Sequence, residues 1–113
     1  MKRYCLALDL IDDPQLIAEY KAYHNKVWPE ITESIKASGI EQAEIYCVSN
    51  RLFMILEVND TFSFEKKSEM DANNPKVQEW EALMWTYQKA LPIAKPGEKW
   101  ILMDNIYQLN KTS

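Results

Sequence analysis

The sequence contains few of the residues on which common functional sites are built. It has one histidine, two cysteines and two glycines in 113 residues. A single histidine with the widely separated Cys5 and Cys47 provides no cluster of metal ligands, and no serine or cysteine lies at a spacing that suggests a nucleophilic triad. A glycine-rich phosphate-binding loop is also missing, which argues against nucleotide binding. We therefore expect no metal and no cofactor.

Basic runs and long apolar runs are also absent. The net charge is −4 and the 13 lysines and arginines are scattered, whereas nucleic acids and anionic membranes select a basic patch. No apolar run approaches the roughly 18 residues that cross a bilayer, and Asp9, Asp12 and Asp13 interrupt the apolar start too early for a signal peptide. Two unpaired cysteines fit a reducing compartment. The sequence therefore indicates a cytoplasmic protein that binds neither nucleic acid nor membrane.

What the sequence does contain is the periodicity of a mixed α and β domain. A composition with 47% hydrophobic and 27% charged residues is typical of a globular chain, and we expect a single domain over residues 1–113. Apolar residues three and four apart predict a helix from Pro14 towards Gly39 and another over 75–90. A short helix is expected in the loop that precedes the second of these helices and ends at Pro75. Alternating apolar residues predict strands at 2–10, 41–48, 52–58 and 100–109.

The order β-α-β-β-α-β predicts a ferredoxin-like α+β fold, in which four antiparallel strands carry both long helices on one face. A sheet covered on one side only should present polar residues on its other side. Here the third strand is apolar on both sides, with Leu52 and Leu56 on one and Phe53 and Ile55 on the other. We therefore expect the uncovered face to pack against a second copy, giving a homodimer with the architecture of a dimeric α+β barrel.

His24 is the only imidazole in the chain, and it lies on the apolar face of the first predicted helix. Its spacing continues the stripe between Tyr20 and Val27. Pro29 predicts a kink or break near residues 25–28, which would open the gap between helix and sheet. One interpretation is a core histidine whose two nitrogens are satisfied by neighbours. The other is that His24 points into a pocket, where an imidazole acts as acid or base near neutral pH.

Aromatic residues and carboxylates near the predicted apolar faces are candidate ligands for a sugar. The four tryptophans and six tyrosines either form the core and a dimer interface or offer flat rings to the C–H faces of a pyranose. Glu44 shares one face of its strand with Tyr46, and Glu81 follows Trp80 in the second long helix. Each carboxylate either faces water or must pair with another group or a bound ligand.

A family resemblance is carried by three segments, YHNKVWPEI, VQEWEALMW and PGEKWILMDNIYQL. They resemble those of the L-rhamnose mutarotase family, and the similarity covers essentially the whole chain. Its most specific part is the motif His-Asn-x-x-Trp-Pro-Glu at residues 24–30. The resemblance implies a small dimeric α+β barrel that interconverts the α and β anomers of a deoxy sugar. It also implies that the catalytic histidine is His24 and that a sugar-contacting tryptophan is Trp80.

Two positions depart from the pattern of the rhamnose-type members of that family. Ala43 stands where those members carry a tyrosine, and Glu81 stands where they often carry a second tryptophan. The pocket that the resemblance implies is therefore less aromatic and more acidic than a rhamnose pocket. In these features the sequence is similar to a subgroup associated with L-fucose.

The resemblance and the residue chemistry together predict a site for acid/base ring opening of a 6-deoxy-L-hexose. One proton reaches the ring oxygen while another leaves the anomeric hydroxyl, and the opened sugar recloses on the other face. No cofactor is needed for these steps. We expect His24 to be one proton-transfer group, and the sequence leaves open whether Glu44, Glu81 or Tyr46 is the second. The residues expected to bind the monosaccharide are Tyr20, Asn25, Trp28, Trp80 and Glu81.

Two other functions fit part of the same pattern. Dimeric ferredoxin-like barrels also include haem-degrading monooxygenases in which a helix histidine binds iron, and His24 would be that ligand. A sugar sensor would instead bind L-fucose or L-rhamnose without accelerating anomer exchange. A Soret band after haem addition would favour the first, and sugar binding without exchange would favour the second.

Overall fold

The structure is a computed structural model that describes residues 2–109, so residue 1 and residues 110–113 of the predicted domain lie outside the described residues. The chain forms a mixed α+β fold. In chain order its elements are β1 (Lys2–Leu10), α1 (Pro14–His24), α2 (Pro29–Ala37), β2 (Ile40–Val48), β3 (Arg51–Val58), α3 (Phe64–Ala72), α4 (Pro75–Trp85), β4 (Gln88–Lys89) and β5 (Ile101–Leu102).

The strands form one antiparallel sheet in the order β2-β3-β1-β4, and β5 also pairs with β1. β2 and β3 form a hairpin around a two-residue turn, Ser49–Asn50. Asn50 ties this turn to β1, because its main-chain oxygen accepts from the Leu10 N–H at 2.7 Å and its amide donates to the Leu10 carbonyl at 3.1 Å. The topology confirms the ferredoxin-like prediction.

The first predicted helix is in fact two helices separated by residues 25–28. Asp13 caps α1 by accepting hydrogen bonds from two N–H groups of the first turn, at 2.9 and 3.2 Å. Pro29 begins α2, where its missing N–H has no helical partner to lose. The predicted break is confirmed, and it makes His24 the last residue of α1.

Gly39 ends the helical region as predicted and leads into β2. Its φ of +101° lies in the left-handed region that favours glycine. A Cβ atom at this position would lie 2.7 Å from the Asn59 side-chain oxygen. A larger residue would therefore strain the start of β2 and push it away from the loop that follows β3.

The second long helix is shorter than the predicted range of 75–90. It ends at Trp85, and the Thr86 hydroxyl donates to the Leu83 carbonyl at 2.7 Å as the chain leaves the helix. Gln88 and Lys89 then form β4 beside β1. The apolar periodicity continued past this point, so it did not reveal the local hydrogen bond that marks the end.

The strand predicted over 100–109 was wrong in length. Only Ile101 and Leu102 pair with β1, and the Met103 N–H adds one further bond to the Cys5 carbonyl at 2.7 Å. Residues 103–109 are exposed, and Ile106 is 94% exposed. Alternating apolar residues identify a segment that can form a strand, but they do not show how much of it has a neighbouring strand to pair with.

The core lies between the inner face of the sheet and the helices. β2 is exposed along its length after Ile40, so the helices cover β1 and β3 more fully than they cover β2. None of the helices within residues 2–109 combines the length and apolar character needed to cross a membrane. The buried hydrophobic residues form two clusters, Leu10, Tyr20, Ile31, Leu52, Val77, Trp80, Met84 and Tyr87, and Leu6, Ile40, Leu56 and Val58.

Candidate functional site

A cavity of about 1000 Å³ lies between the sheet and the helices. All four helices contribute to its lining, together with β1, β2 and β3. Proteins bind small molecules in cavities of roughly 300–1000 Å³, so a monosaccharide fits here with room to spare. β2 directs Ala43 and Ile45 towards this space, and both residues are exposed, so the cavity is open on this side.

His24 lines the cavity from the last position of α1. Its Nδ1 lies 2.8 Å from the main-chain oxygen of Tyr20. A carbonyl oxygen only accepts hydrogen bonds, so Nδ1 carries the proton and Nε2 of the neutral ring keeps the lone pair. The ring also stacks at a tilt on Tyr20, with centroids 4.5 Å apart. The imidazole is therefore held in one orientation with one basic nitrogen.

Trp80 forms an apolar wall beside His24. It is buried, and its ring meets those of His24 and Trp28 edge to face, with centroids 5.9 and 5.0 Å apart. α4 brings it there because Val77, Trp80 and Met84 share the buried face of that helix. The indole thus offers the cavity a flat apolar surface that is suited to the C–H face of a pyranose.

Tyr20 and Gln88 make a buried polar contact in the cavity lining. Gln88 Nε2 donates to the Tyr20 hydroxyl oxygen at 3.1 Å. Burial raises the pKa of Tyr20, and the hydrogen bond from Gln88 acts in the opposite direction. β4 places Gln88 opposite Leu10, whose side chain is buried on the inner face. The sequence predicted a helix at this position, so Gln88 was not among the predicted site residues.

Charged and polar side chains of α3, α4 and the loop before β5 form another part of the lining. Lys67 and Asp71 form an ion pair at 2.5 Å. Gln78 donates to the Glu81 carboxylate at 3.3 Å, and Lys99 donates to the Glu81 main-chain oxygen at 3.1 Å. Burial lowers the pKa of Lys99. Glu81 thus lines the cavity, and its predicted role at the site stays a prediction. No sequence spacing identified Lys99, which reaches the cavity from a loop.

Glu44 and Tyr46 lie on the outer face of the sheet. Side chains alternate along β2, so the face opposite Ala43 and Ile45 receives Glu44 and Tyr46. The Tyr46 hydroxyl donates to Glu44 at 2.7 Å, and this hydrogen bond raises the pKa of Tyr46. The structure does not bring this pair together with His24 in one chain. Their predicted catalytic role needs a substrate on the outer face and stays a prediction.

Asn25 and Trp28 lie in the break between α1 and α2, outside the cavity lining formed by residues 2–109. Asn25 is exposed, and its main-chain N–H donates to the Ala22 carbonyl at 3.1 Å at the end of α1. Trp28 packs on Trp80 and lies 5.7 Å from the Lys76 ammonium group. Trp28 therefore supports Trp80 from outside the cavity lining, and the predicted sugar-binding roles of Asn25 and Trp28 stay predictions.

The residue types that bind metals do not converge in the described part of the chain. Among residues 2–109, no group of three or more histidine, cysteine, aspartate and glutamate side chains is arranged to hold a metal ion. Cys5 and Cys47 are free. The cavity side chains provide hydrogen bonding, proton transfer and apolar contact.

The family profile that matches the chain and two of its relatives are described as sugar mutarotases. A family profile described as L-rhamnose mutarotase matches residues 3–109. An L-fucose mutarotase from Xanthomonas campestris pv. campestris is 43% identical, over 98% of this chain and 90% of its own. An L-rhamnose mutarotase from Bacillus subtilis is 31% identical, over 67% of this chain and 75% of its own. The crystal structure of an L-rhamnose mutarotase from Formosa agariphila shares the fold, with a TM-score of 0.70 at 22% identity over 97% of this chain and 100% of that one.

Proposed function

Because the chain belongs to the L-rhamnose mutarotase family, whose members are isomerases that act on carbohydrates, we propose that it interconverts the α and β anomers of a 6-deoxy-L-hexose. The observation that carries this proposal is the position of His24. It lines a cavity large enough for a monosaccharide, and its Nδ1 hydrogen bond to the Tyr20 carbonyl leaves Nε2 as the nitrogen that exchanges protons.

His24 and Glu81 are the two proton-transfer groups in this proposal, because both line the cavity and both residue types exchange protons in enzymes. One of them gives a proton to the ring oxygen while the other takes the proton of the anomeric hydroxyl, and the bond between the ring oxygen and the anomeric carbon breaks. The C–C bond next to the new carbonyl turns. Reversal of both proton transfers then closes the ring with the opposite configuration.

Tyr20 and Trp80 bind the sugar in the same proposal. The buried indole of Trp80 stacks on the C–H face of the pyranose, and the hydroxyl of Tyr20 bonds to one of its oxygens. These contacts hold the anomeric centre beside His24, which shares ring contacts with both residues. Positioning of this kind accounts for a large part of the rate enhancement of many enzymes.

L-fucose is the preferred substrate in our proposal. Ala43 and Glu81 line the cavity, so the space near β2 is not filled by an aromatic ring and the wall of α4 carries a carboxylate. These are the two positions at which the sequence departs from the rhamnose-type pattern. The 43% identity to an L-fucose mutarotase supports the same choice.

Anomer exchange measured by saturation-transfer NMR tests the proposal. Without protein, the anomers of a free sugar exchange slowly, so saturation of one anomeric proton leaves the other unchanged. We expect added protein to transfer saturation strongly in L-fucose, less in L-rhamnose, and not in D-galactose, a hexose of the opposite series. Absence of transfer in both deoxy sugars would contradict a mutarotase function, and a stronger effect in L-rhamnose would contradict the preference.

We further propose that two copies associate through the outer face of the sheet. β1 and β3 present an apolar centre on this face, where Cys5 is opposite Ile55 and Ala7 is opposite Phe53. Tyr46 and Val48 of β2 are exposed beside it. The apolar centre is bounded at its two ends by the ion pairs Arg3–Glu57 at 3.1 Å and Asp9–Arg51 at 2.7 Å.

An apolar centre with a charged rim is typical of an interface between proteins. The exposed segment after β5 supports the same proposal, because Ile106, Tyr107 and Leu109 are 94%, 73% and 78% exposed. A second copy offers these side chains the apolar surface that their own chain does not provide. The homodimer therefore explains both the uncovered sheet face and the exposed apolar side chains that follow β5.

A cytoplasmic location is also part of the proposal. Cys5 lies opposite Ile55 on the outer face of the sheet, whereas Cys47 lies opposite Leu52 on the inner face. The sheet separates the two thiols, so they do not form a disulfide within the chain. Free thiols are typical of proteins in a reducing compartment.

A further inference from the structure

The side-chain amide of Gln88 has one polar atom that the protein leaves unpaired. Its Nε2 donates to the Tyr20 hydroxyl at 3.1 Å. Its Oε1 is buried and, among residues 2–109, has no hydrogen-bond partner. Gln88 as a whole is 8% exposed and lies in the lining of the cavity that holds His24.

A buried carbonyl oxygen without a partner is uncommon in folded proteins, because it has lost its hydrogen bonds to water without replacing them. An apolar side chain of similar size, such as methionine, would fill the same volume without this penalty. A polar side chain at such a position beside a cavity therefore points to a role in ligand binding. A ligand that enters the cavity with a hydroxyl group supplies the missing donor.

The orientation of this amide is fixed from two directions. The main chain of Gln88 is held by the pairing of β4 with β1 and by the hydrogen bond from the Ile11 N–H to the Tyr87 carbonyl at 2.9 Å. The Tyr20 hydroxyl then holds Nε2. An acceptor whose direction is set before the ligand arrives loses little entropy on binding.

We propose that Gln88 is a specificity-determining residue, whose Oε1 accepts a hydrogen bond from one secondary hydroxyl of the bound pyranose. The inference rests on the proposed function and adds a residue to it. The Tyr20 hydroxyl accepts from Gln88 and keeps its own proton for donation. Together the two side chains present an acceptor and a donor, which complement one sugar hydroxyl or two on neighbouring carbons.

The substitution Gln88→Met tests this role, because methionine keeps the length of the side chain and removes the amide. We expect KM for L-fucose to rise about tenfold, with kcat changed less than about twofold, since a hydroxyl away from the anomeric carbon is bound equally in the ground and transition states. The melting temperature should change little, because removal of the unpaired buried oxygen offsets the loss of the hydrogen bond to the Tyr20 hydroxyl. Gln15→Met, at an exposed position of α1, is the matched control and should change neither constant.

Sugar analogues make the test specific for one hydroxyl. Wild-type protein should bind one of the 2-, 3- or 4-deoxy derivatives of L-fucose about tenfold more weakly than L-fucose, and Gln88→Met should show no further loss with that derivative. A KM for L-fucose that is unchanged in Gln88→Met would overturn the inference. Unchanged KM with a lowered melting temperature would show a purely structural role and would overturn it as well.

Calorimetric titration with L-fucose separates this inference from the proposed function. Active wild-type protein with an unaltered Gln88→Met variant would leave the mutarotase function standing and remove the role of Gln88. Wild-type protein that binds L-fucose without accelerating exchange would remove the mutarotase function, and about tenfold weaker binding by Gln88→Met would still support the contact. Equal affinities of the two proteins for L-fucose, or no binding by the wild type, would overturn the proposed role of Gln88.

Discussion

On each side of the sheet a tyrosine hydroxyl donates a hydrogen bond to a glutamate, yet the two pairs lie in different surroundings. On the inner side Tyr87 donates to Glu19 at 2.9 Å and is 8% exposed. On the outer side Tyr46 donates to Glu44 at 2.7 Å and is 54% exposed. The same two residue types therefore form a buried structural contact on one side and a surface contact on the other. Residue type alone does not identify a site, because the surroundings of a side chain depend on which side of the sheet it faces.

The same contrast applies to the two faces as a whole. The inner face contributes to a cavity with an imidazole, a carboxylate and a buried indole in its lining. The outer face carries an apolar centre between two ion pairs. In our proposal the inner face performs the chemistry and the outer face holds the second copy. Substitutions on one face should then leave the property of the other unchanged.

The largest effect is expected for His24→Ala. Loss of a proton-transfer group should reduce anomer exchange of L-fucose by about 10²–10⁴-fold, whereas the fold should persist because the ring is only half-buried. Saturation-transfer NMR measures the exchange and circular dichroism the fold. Lys21→Ala, at an exposed position of α1 outside the cavity lining, is the control and should keep the wild-type exchange rate. An exchange rate in His24→Ala equal to that of the wild type would remove this residue from the mechanism.

A charge in the apolar centre of the outer face should have the next largest effect. We expect Phe53→Asp to raise the dimer dissociation constant about a hundredfold, because the interface would bury an unpaired carboxylate. Light scattering coupled to size-exclusion chromatography measures the mass. Ala18→Asp, at an exposed position of α1, introduces the same charge away from this face and should leave the mass unchanged. A wild-type protein that is monomeric at micromolar concentration would contradict the proposed homodimer.

Glu81→Gln should reduce kcat for L-fucose about tenfold, since the amide keeps the shape of the side chain but does not exchange protons at neutral pH. Glu79→Gln is the matched control on the same helix. Glu79 is exposed and lies 3.4 Å from Lys76, outside the cavity, so its substitution should leave kcat unchanged. If Glu81→Gln retains the wild-type kcat, the second proton-transfer group is another residue.

The smallest effect is expected at alkaline pH, where the two tyrosine–glutamate pairs differ. The hydrogen bond to Glu19 raises the pKa of Tyr87 to about 12 from its ordinary value of 10.0. The folded state therefore holds this proton more tightly than the unfolded state, and the resulting stabilisation is complete below pH 10 and lost as pH rises towards 12.

Urea denaturation at several pH values between 9 and 12 measures this loss. Tyr87→Phe should weaken the decline in the denaturation midpoint over that window, because the titrating hydroxyl is gone. Tyr46→Phe should weaken it less, since its pair is exposed and solvent screens the interaction. Identical declines in the wild type and Tyr87→Phe would show that the inner pair does not contribute.

Several features of the fold were predictable because each depends on neighbouring residues in the sequence. Alternation identified the first three strands, and Pro29 identified the break that places His24 at the end of α1. Gly39 marked the end of the helical region because its positive φ and its close contact with Asn59 both favour glycine. The position of His24 on a face with Tyr20 followed from the helical period in the same way.

Other features were not predictable because they depend on contacts between distant segments. Alternation showed that Glu44 and Tyr46 share a face of β2, but it did not show that this face lies away from the helices. Gln88 enters the cavity through the pairing of β4 with β1, and Lys99 enters it from a loop. Alternation over 100–109 did not show that the pairing of β5 with β1 stops at Leu102, because that limit depends on where two distant segments meet.

The hydrogen bond between His24 Nδ1 and the Tyr20 carbonyl has a consequence for how substitutions would alter this pocket. The imidazole takes part of its alignment from the backbone of its own helix, so side-chain substitutions that keep this backbone leave the Nδ1 hydrogen bond in place. The surrounding walls belong to other elements, and single mutations there reshape the space that a sugar occupies. In our proposal, substitutions in the walls would therefore change which sugar the pocket accepts and leave the proton-transfer group in place.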